Sequence, residues 1–354
     1  MISLYGQLIQ HWERRLVARD PHRYQREFDW GWEWLRRTPI DGLPGACRAG
    51  AAPLPPAEGL PLLEAWSRRA ITAGDGFFSA PAVNDYRLAE GVLSYTSPAP
   101  SGDRANDRVT ARWFPAASAK RRRAVVLLPQ WNADAQGHIA LARGLQRFGI
   151  SALRLSLPWH DDRKPAGLAR AEYAVDSNLG RTIHAARQAV CDTRAALDWL
   201  ESEGYGALGI LGTSLGSCYA LLAAAHDARL RAAVFNHISL WFGDVVGSGL
   251  ATRHVRQSLP PTLDAAALRR AWSAISPASY LDRLPARRQR RLLIWARYDL
   301  TFLPEYSRQV VAEFRRRGLD CEQRVLPCGH NTTGQAPFKF LDGFYMVQFL
   351  RRAL

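Results

Sequence analysis

Short, largely apolar runs recur along the chain, alternating with stretches whose apolar positions repeat every three or four residues. Residues 124–128, 150–157, 208–213, 232–236, 292–296 and 323–326 read as strands, and 136–148, 182–203, 304–317 and 339–352 as helices. Short buried strands alternating with helices predict a parallel sheet covered on both sides. Ahead of them, 91–97 and 108–114 flank a Pro/Ser/Gly/Asp turn, the pattern of a hairpin. The fold class that follows is α/β, a mostly parallel twisted sheet with helices on both faces. Residues 238–285 interrupt the alternation and contain Trp241, Phe242 and Trp272. They predict a short helical insertion at the place where a lid would sit.

Residues 1–38 follow helical spacing, with Leu4, Leu8, Trp12 and Leu16 on one stripe and Trp30, Trp32, Trp34 and Leu35 after them. Because tryptophan is mostly buried, this predicts a helical extension packed on the main domain, in preference to a membrane-surface helix or a flap over a site. The Gly/Pro/Ala-rich stretch 41–61 reads as a linker or surface loop, and 62–72 as a further helix. The expected organisation is an extension over 1–89 and an α/β domain over 90–354 with a lid at about 238–285.

Composition narrows the function classes. With 354 residues and 47% hydrophobic content the chain can build a large core. Its net charge of +15 first suggests a polyanionic partner. Yet Lys120, Lys164 and Lys339 are its lysines, and the arginines are spread along the whole length apart from small clusters at 121–123, 287–291 and 315–317. This is a background preference for arginine, so no nucleic-acid partner is expected, and a weak contact with an anionic membrane surface is compatible with it. The five cysteines are scattered, without metal spacing or a disulfide framework. No apolar run spans a bilayer and no secretory leader opens the chain, so a cytoplasmic location is expected. Neither a metal nor an organic cofactor is implied.

The chemistry centres on Gly212-Thr213-Ser214-Leu215-Gly216, which follows a buried strand and precedes an apolar helix. That is the G-x-S-x-G corner, in which a strained turn lifts the serine hydroxyl clear of the sheet at the start of a helix. A serine needs a base, and the base needs an acid to orient it. In this architecture both follow the serine, at the ends of later strands. The run 291–299 is a strand delivering Asp299, and 323–330 is a strand delivering His330 through a glycine turn. Ser214, Asp299 and His330 are therefore the candidate catalytic residues. Asp299 as a helix cap and His330 as a backbone-bonded loop residue are the structural alternatives. An oxyanion needs two backbone N–H donors. Leu215 supplies one, and the loop 129–134 the other, with Trp131 in the donor position. Gln130 and Asn132 either add side-chain donors or shape that turn. His160, in the loop 158–165, touches substrate or a catalytic loop, or belongs to a surface ion-pair loop. Trp241 is a candidate substrate contact from the insertion. Cys218 and Cys328 read as core filler.

With these residues in place, 90–354 resembles the α/β-hydrolase superfamily. The stretches 128–138, 199–217, 296–302 and 326–334 are similar to a little-characterised bacterial branch of it. The corner, with Arg163-Lys164-Pro165, is also similar to a eukaryotic α/β-hydrolase-domain branch associated with lipid deacylation. The resemblance implies the fold and a triad of Ser214, Asp299 and His330, and it implies no particular substrate. The activity expected is hydrolysis of a carboxylic ester, of a lipid or other apolar acyl group, through an acyl-enzyme. An acyltransferase using the same triad, and a small-molecule receptor or scaffold on the same fold, are the alternatives.

Overall fold

The computed structural model describes residues 3–19, 24–47, 54–117 and 122–354. Lys120, Arg121 and the 48–53 part of the expected linker lie outside the described residues. Among those described, nine strands form one sheet in the order β1-β2-β3-β5-β4-β6-β7-β8-β9. They are β1 (Arg87–Ala89), β2 (Val92–Thr96), β3 (Arg108–Phe114), β4 (Arg123–Leu128), β5 (Ser151–Leu155), β6 (Ala207–Thr213), β7 (Leu230–Asn236), β8 (Arg290–Ala296) and β9 (Glu322–Leu326). The hairpin β2–β3 is antiparallel, as is the join of β3 to β5, and every pairing from β5 to β9 is parallel. The sheet is thus the mostly parallel one expected, with one edge strand, β1, that the sequence did not announce.

Alternation within the apolar strands divides the core in two. Ala124, Val126 and Leu128 of β4 face one layer, while Val125 and Leu127 face the other. The helices are α1 (Leu4–Ala18), α2 (Trp32–Leu35), α3 (Pro56–Ala73), α4 (Arg104–Asp107), α5 (Ile139–Arg147), α6 (Leu179–Ser202), α7 (Leu215–His226), α8 (Phe242–Ser248), α9 (Arg253–Gln257), α10 (Ala265–Ala271), α11 (Pro304–Arg316) and α12 (Phe338–Ala353). Helices α1, α5 and α12 cover one face, and α3, α6, α7, α10 and α11 contribute to the core on the other. None of the described helices is long and apolar enough to cross a membrane.

The N-terminal extension packs on both faces. The segment holding Trp30 and Trp32 lies along the start of α6, where Asp29 and Trp30 carbonyls accept the Leu179 and Gly180 N–H groups. Helix α3 meets the insertion, and the Ser67 hydroxyl donates to the Ala271 carbonyl at 2.9 Å. Helix α6 is covered along nearly its whole length, and polar residues such as Gln188 and Asp192 are buried on it against residues 97–107 and Arg163. They are satisfied by a network in which Arg163 pairs with Asp192 at 2.8 Å and Asn106 donates to Gln188 at 2.8 Å. Part of the arginine content is structural in this way: Arg154, Arg163, Arg187 and Arg291 are all buried.

Two expectations for the extension are corrected. The buried face of α1 is Gly6, Ile9, Glu13 and Val17, and the Leu4–Leu8 stripe is exposed at 74% and 61%. The stripe failed because the position that α1 buries most deeply is a carboxylate, which a hydrophobic pattern scores as surface. The second correction concerns 41–61: its last residues are the first turns of α3, where Pro56 sits at a helix start that needs no N–H.

Candidate active site

Ser214 stands at the corner between β6 and α7 with φ 56° and ψ −119°, a conformation that costs a non-glycine residue of order 1–3 kcal/mol. Two close approaches hold it there. A Cβ on Gly212 would lie 2.1 Å from the Gly216 carbonyl oxygen, and one on Gly216 would lie 2.2 Å from that of Leu128. No side chain fits at either place, so the corner is pressed against the end of β4.

Asp299 follows β8 and His330 follows β9, and the sheet brings both to the serine. Ser214 Oγ lies 3.0 Å from His330 Nε2, and His330 Nδ1 lies 3.0 Å from Asp299 Oδ2. The other carboxylate oxygen, Oδ1, accepts the Thr301 and Phe302 N–H groups at 2.7 and 2.8 Å. Asp299 is therefore no cap for α11, whose N-cap is Leu303 without a side-chain bond. The Phe302 ring stacks on His330 at 5.2 Å.

A residue passed over in the sequence joins them. His237, immediately after β7, places Nδ1 3.0 Å from the same Asp299 Oδ2, so the carboxylate accepts four N–H groups in all. The signal was available: a polar residue directly past a buried strand, at the sheet edge that already carries the serine. Burial pushes the Asp299 carboxyl up, but the two imidazoles outweigh it and hold the group well below the usual carboxylate range. For His330, burial disfavours the cation, while Asp299 and Glu13 more than compensate, so its pKa lies above the usual histidine value. His237 moves the other way, lowered by burial. The ligand atoms of His237, Asp299 and His330 lie within 4.8 Å of one another, the one such group among the described residues. Asp299 already accepts four N–H groups, which occupy its acceptor positions; the donor set fits a proton relay better than a metal.

The loop after β4 faces the serine. Asn132, at φ 59°, gives its backbone N–H to His160 Nε2 at 3.0 Å, and His160 Nδ1 donates to the Pro158 carbonyl at 2.8 Å. His160 thus reaches a loop beside the serine, and it is buried, not part of a surface ion-pair loop; burial lowers its pKa to about 4, so it stays a neutral acceptor. The Asn132 side chain shapes the turn, its Oδ1 accepting the Ala171 N–H at 2.8 Å. Trp131 is held from three sides: its Nε1 donates to the Ala171 carbonyl, its ring stacks on His254 of α9 at 5.6 Å, and Arg170 lies over it. Among the hydrogen bonds of the described residues, the Trp131 N–H has no acceptor.

Ser214, His330 and this loop open into a cleft of about 900 Å³. Gln130, Trp131 and Asn132 line it, as do Phe242, Val245 and Phe302. Trp241 does not; the chain turns at the start of α8, so Phe242 faces inward in its place. Cys218 lies on the cleft wall and Cys328 is buried behind the histidine, both with thiols pushed up to about 12 by burial. As fillers they stay protonated.

A family model described as alpha/beta hydrolase domain containing 18 matches residues 62–240, just over half of the chain. The chain belongs to that family. The match to alpha/beta hydrolase domain containing 18 spans Ser214 and the Trp131 loop; Asp299 and His330 lie beyond it. No curated protein matches the sequence. Solved structures share the fold at low identity. Acetyl xylan esterase 1 from Thermoanaerobacterium sp. JW/SL YS485 aligns with a TM-score of 0.57 at 14% identity, covering 92% of this chain and 99% of its own. An acetyl xylan esterase from Paenibacillus sp. R4 gives 0.57 at 18%, covering 82% and 94%. The Pyrococcus horikoshii acylaminoacyl peptidase gives 0.56 at 11% over 77% of this chain, which spans only 42% of that protein.

Proposed function

We propose that this protein is a serine hydrolase that cleaves a carboxylic ester of an apolar acyl group through an acyl-enzyme. The observation that carries the reading is the continuous hydrogen-bonded chain from Ser214 through His330 to Asp299, 3.0 Å at each link. In this reading His330 Nε2 takes the Ser214 proton as Oγ attacks the carbonyl carbon. Asp299, kept ionised, fixes the imidazole and stabilises the imidazolium. The tetrahedral oxyanion is received by the Leu215 N–H, free at the first position of α7, and by the Trp131 N–H. His330 then protonates the leaving alcohol, and water repeats the sequence on the acyl-enzyme.

Support for an apolar acyl group comes from the side chains of α8 and from Phe302 on the cleft wall. The insertion over 238–285 bears on the oxyanion loop through the His254–Trp131 stack, which fits a lid. Structural neighbours named as acetyl xylan esterases agree with ester chemistry. The test is labelling with a fluorophosphonate, followed by hydrolysis of p-nitrophenyl esters of increasing chain length. Wild type is expected to label and Ser214→Ala to lose both labelling and hydrolysis, a fall of about 10⁶-fold. A folded wild type that neither labels nor hydrolyses any ester would overturn the reading.

A further inference from the structure

Glu13 is fully buried on α1, and no basic side chain is paired with it among the described residues. A bare carboxylate inside a protein costs several kcal/mol unless hydrogen bonds replace its water. All of those bonds come from the turn that follows the histidine. Oε2 accepts the Asn331 backbone N–H and the Asn331 Nδ2, each at 2.9 Å, and Oε1 accepts the Thr332 N–H at 2.6 Å. The turn has been cut to admit it: a Cβ on Gly329 would lie 2.5 Å from Glu13 Cγ. The two sides are 318 residues apart in sequence. Glu13 does not line the cleft, although Leu16 and Val17, one turn further along α1, do.

We propose that Glu13 is a positioning residue for His330, and that α1 through this carboxylate holds the histidine turn in the pose that meets Ser214. The proposal rests on the reading of His330 as the base. The histidine turn is then held by two buried carboxylates, Asp299 on the His330 ring and Glu13 on the backbone that follows it. The titratable groups facing the imidazole are Asp299 after β8, His237 after β7, Cys328 on its own turn and Glu13 from α1. Of these, the two carboxylates favour the imidazolium, and the Glu13 charge is removable without touching the ring. A residue that merely fastened α1 would change stability and leave the titration of His330 where it is.

The experiment uses the full chain with ring-labelled histidine, following the His330 imidazole by NMR from pH 5 to 9 in wild type and Glu13→Gln. His330→Asn identifies the resonance. Loss of the charge is expected to lower the His330 midpoint by roughly half a pH unit. For a p-nitrophenyl ester, kcat is expected to fall about tenfold with KM unchanged, because Glu13 touches the turn and not the cleft. A folded Glu13→Gln with wild-type titration and wild-type kcat would overturn the proposal, as would a change confined to KM. Should Glu13→Gln not fold, Asn331→Ala removes one of the donors and leaves α1 intact. It is expected to lower kcat about threefold, and a wild-type kcat there counts against the proposal. A wild type that never reacts sinks the hydrolase reading, while the titration still reports whether Glu13 acts on His330.

Discussion

The serine corner and the histidine turn meet at Ser214 Oγ and His330 Nε2, 3.0 Å apart, yet they are built by opposite means. The corner is held by backbone. Two glycines, a strained φ of 56° at Ser214 and the pressure of the β4 end fix the hydroxyl, and apart from β4 every part lies within five consecutive residues. The histidine turn is held by side chains from elsewhere: Asp299 from 31 residues upstream and Glu13 from the far end of the chain. Strain and close packing are rigid and local, so they survive as a short motif. A turn fastened by hydrogen bonds to distant carboxylates has no local signature, but on our proposal its charges also tune the base.

That difference can be broken at either end. The largest effect is expected from Asp299→Asn, which leaves the histidine turn in place but supplies the wrong partner for Nδ1. Ester hydrolysis should drop by about 10³–10⁴-fold with the fold intact by circular dichroism. A loss below tenfold would mean that His237 or another group can replace it. At the corner, Gly216→Val should act on stability in place of chemistry, because the new side chain meets the Leu128 and Pro129 carbonyls. Thermal unfolding should show a loss of about 3 kcal/mol or a failure to fold. An unchanged melting temperature would show that the corner yields.

The subtlest probe separates the two imidazoles. His237→Phe removes one of the four donors to Asp299 and should lower kcat by about tenfold. On the proposed mechanism activity requires neutral His330, so it should be lost as pH falls through a midpoint that Asp299 and Glu13 hold above the usual histidine value. Relieved of one donor, Asp299 becomes a stronger partner for the imidazolium, and the acid limb of kcat should move to higher pH. A limb that stays put would make His237 packing alone.

The α/β sheet was legible because its central strands are largely apolar runs that alternate with helices, a pattern that fits burial on both faces. The serine, the aspartate and the histidine were legible as well, since each lies within a few residues of a strand's carboxyl end. Less was legible in the support. The loop 158–165 looked like surface because it is charged, yet His160 and Arg163 are buried there, and the Asp161 side chain is enclosed against Arg154 of β5. Trp241 is an aromatic residue of the insertion, but the turn into α8 gives the cleft Phe242 instead.

By itself the sequence determined the sheet, the order of the three residues along it and the corner that carries the serine, because period and glycine spacing act over a few neighbouring residues. Tertiary structure alone decided that two histidines share Asp299 and that a glutamate in the first helix closes on the last turn of the site. Those bonds depend on which distant donors a buried carboxylate meets, and only the folded chain brings them together.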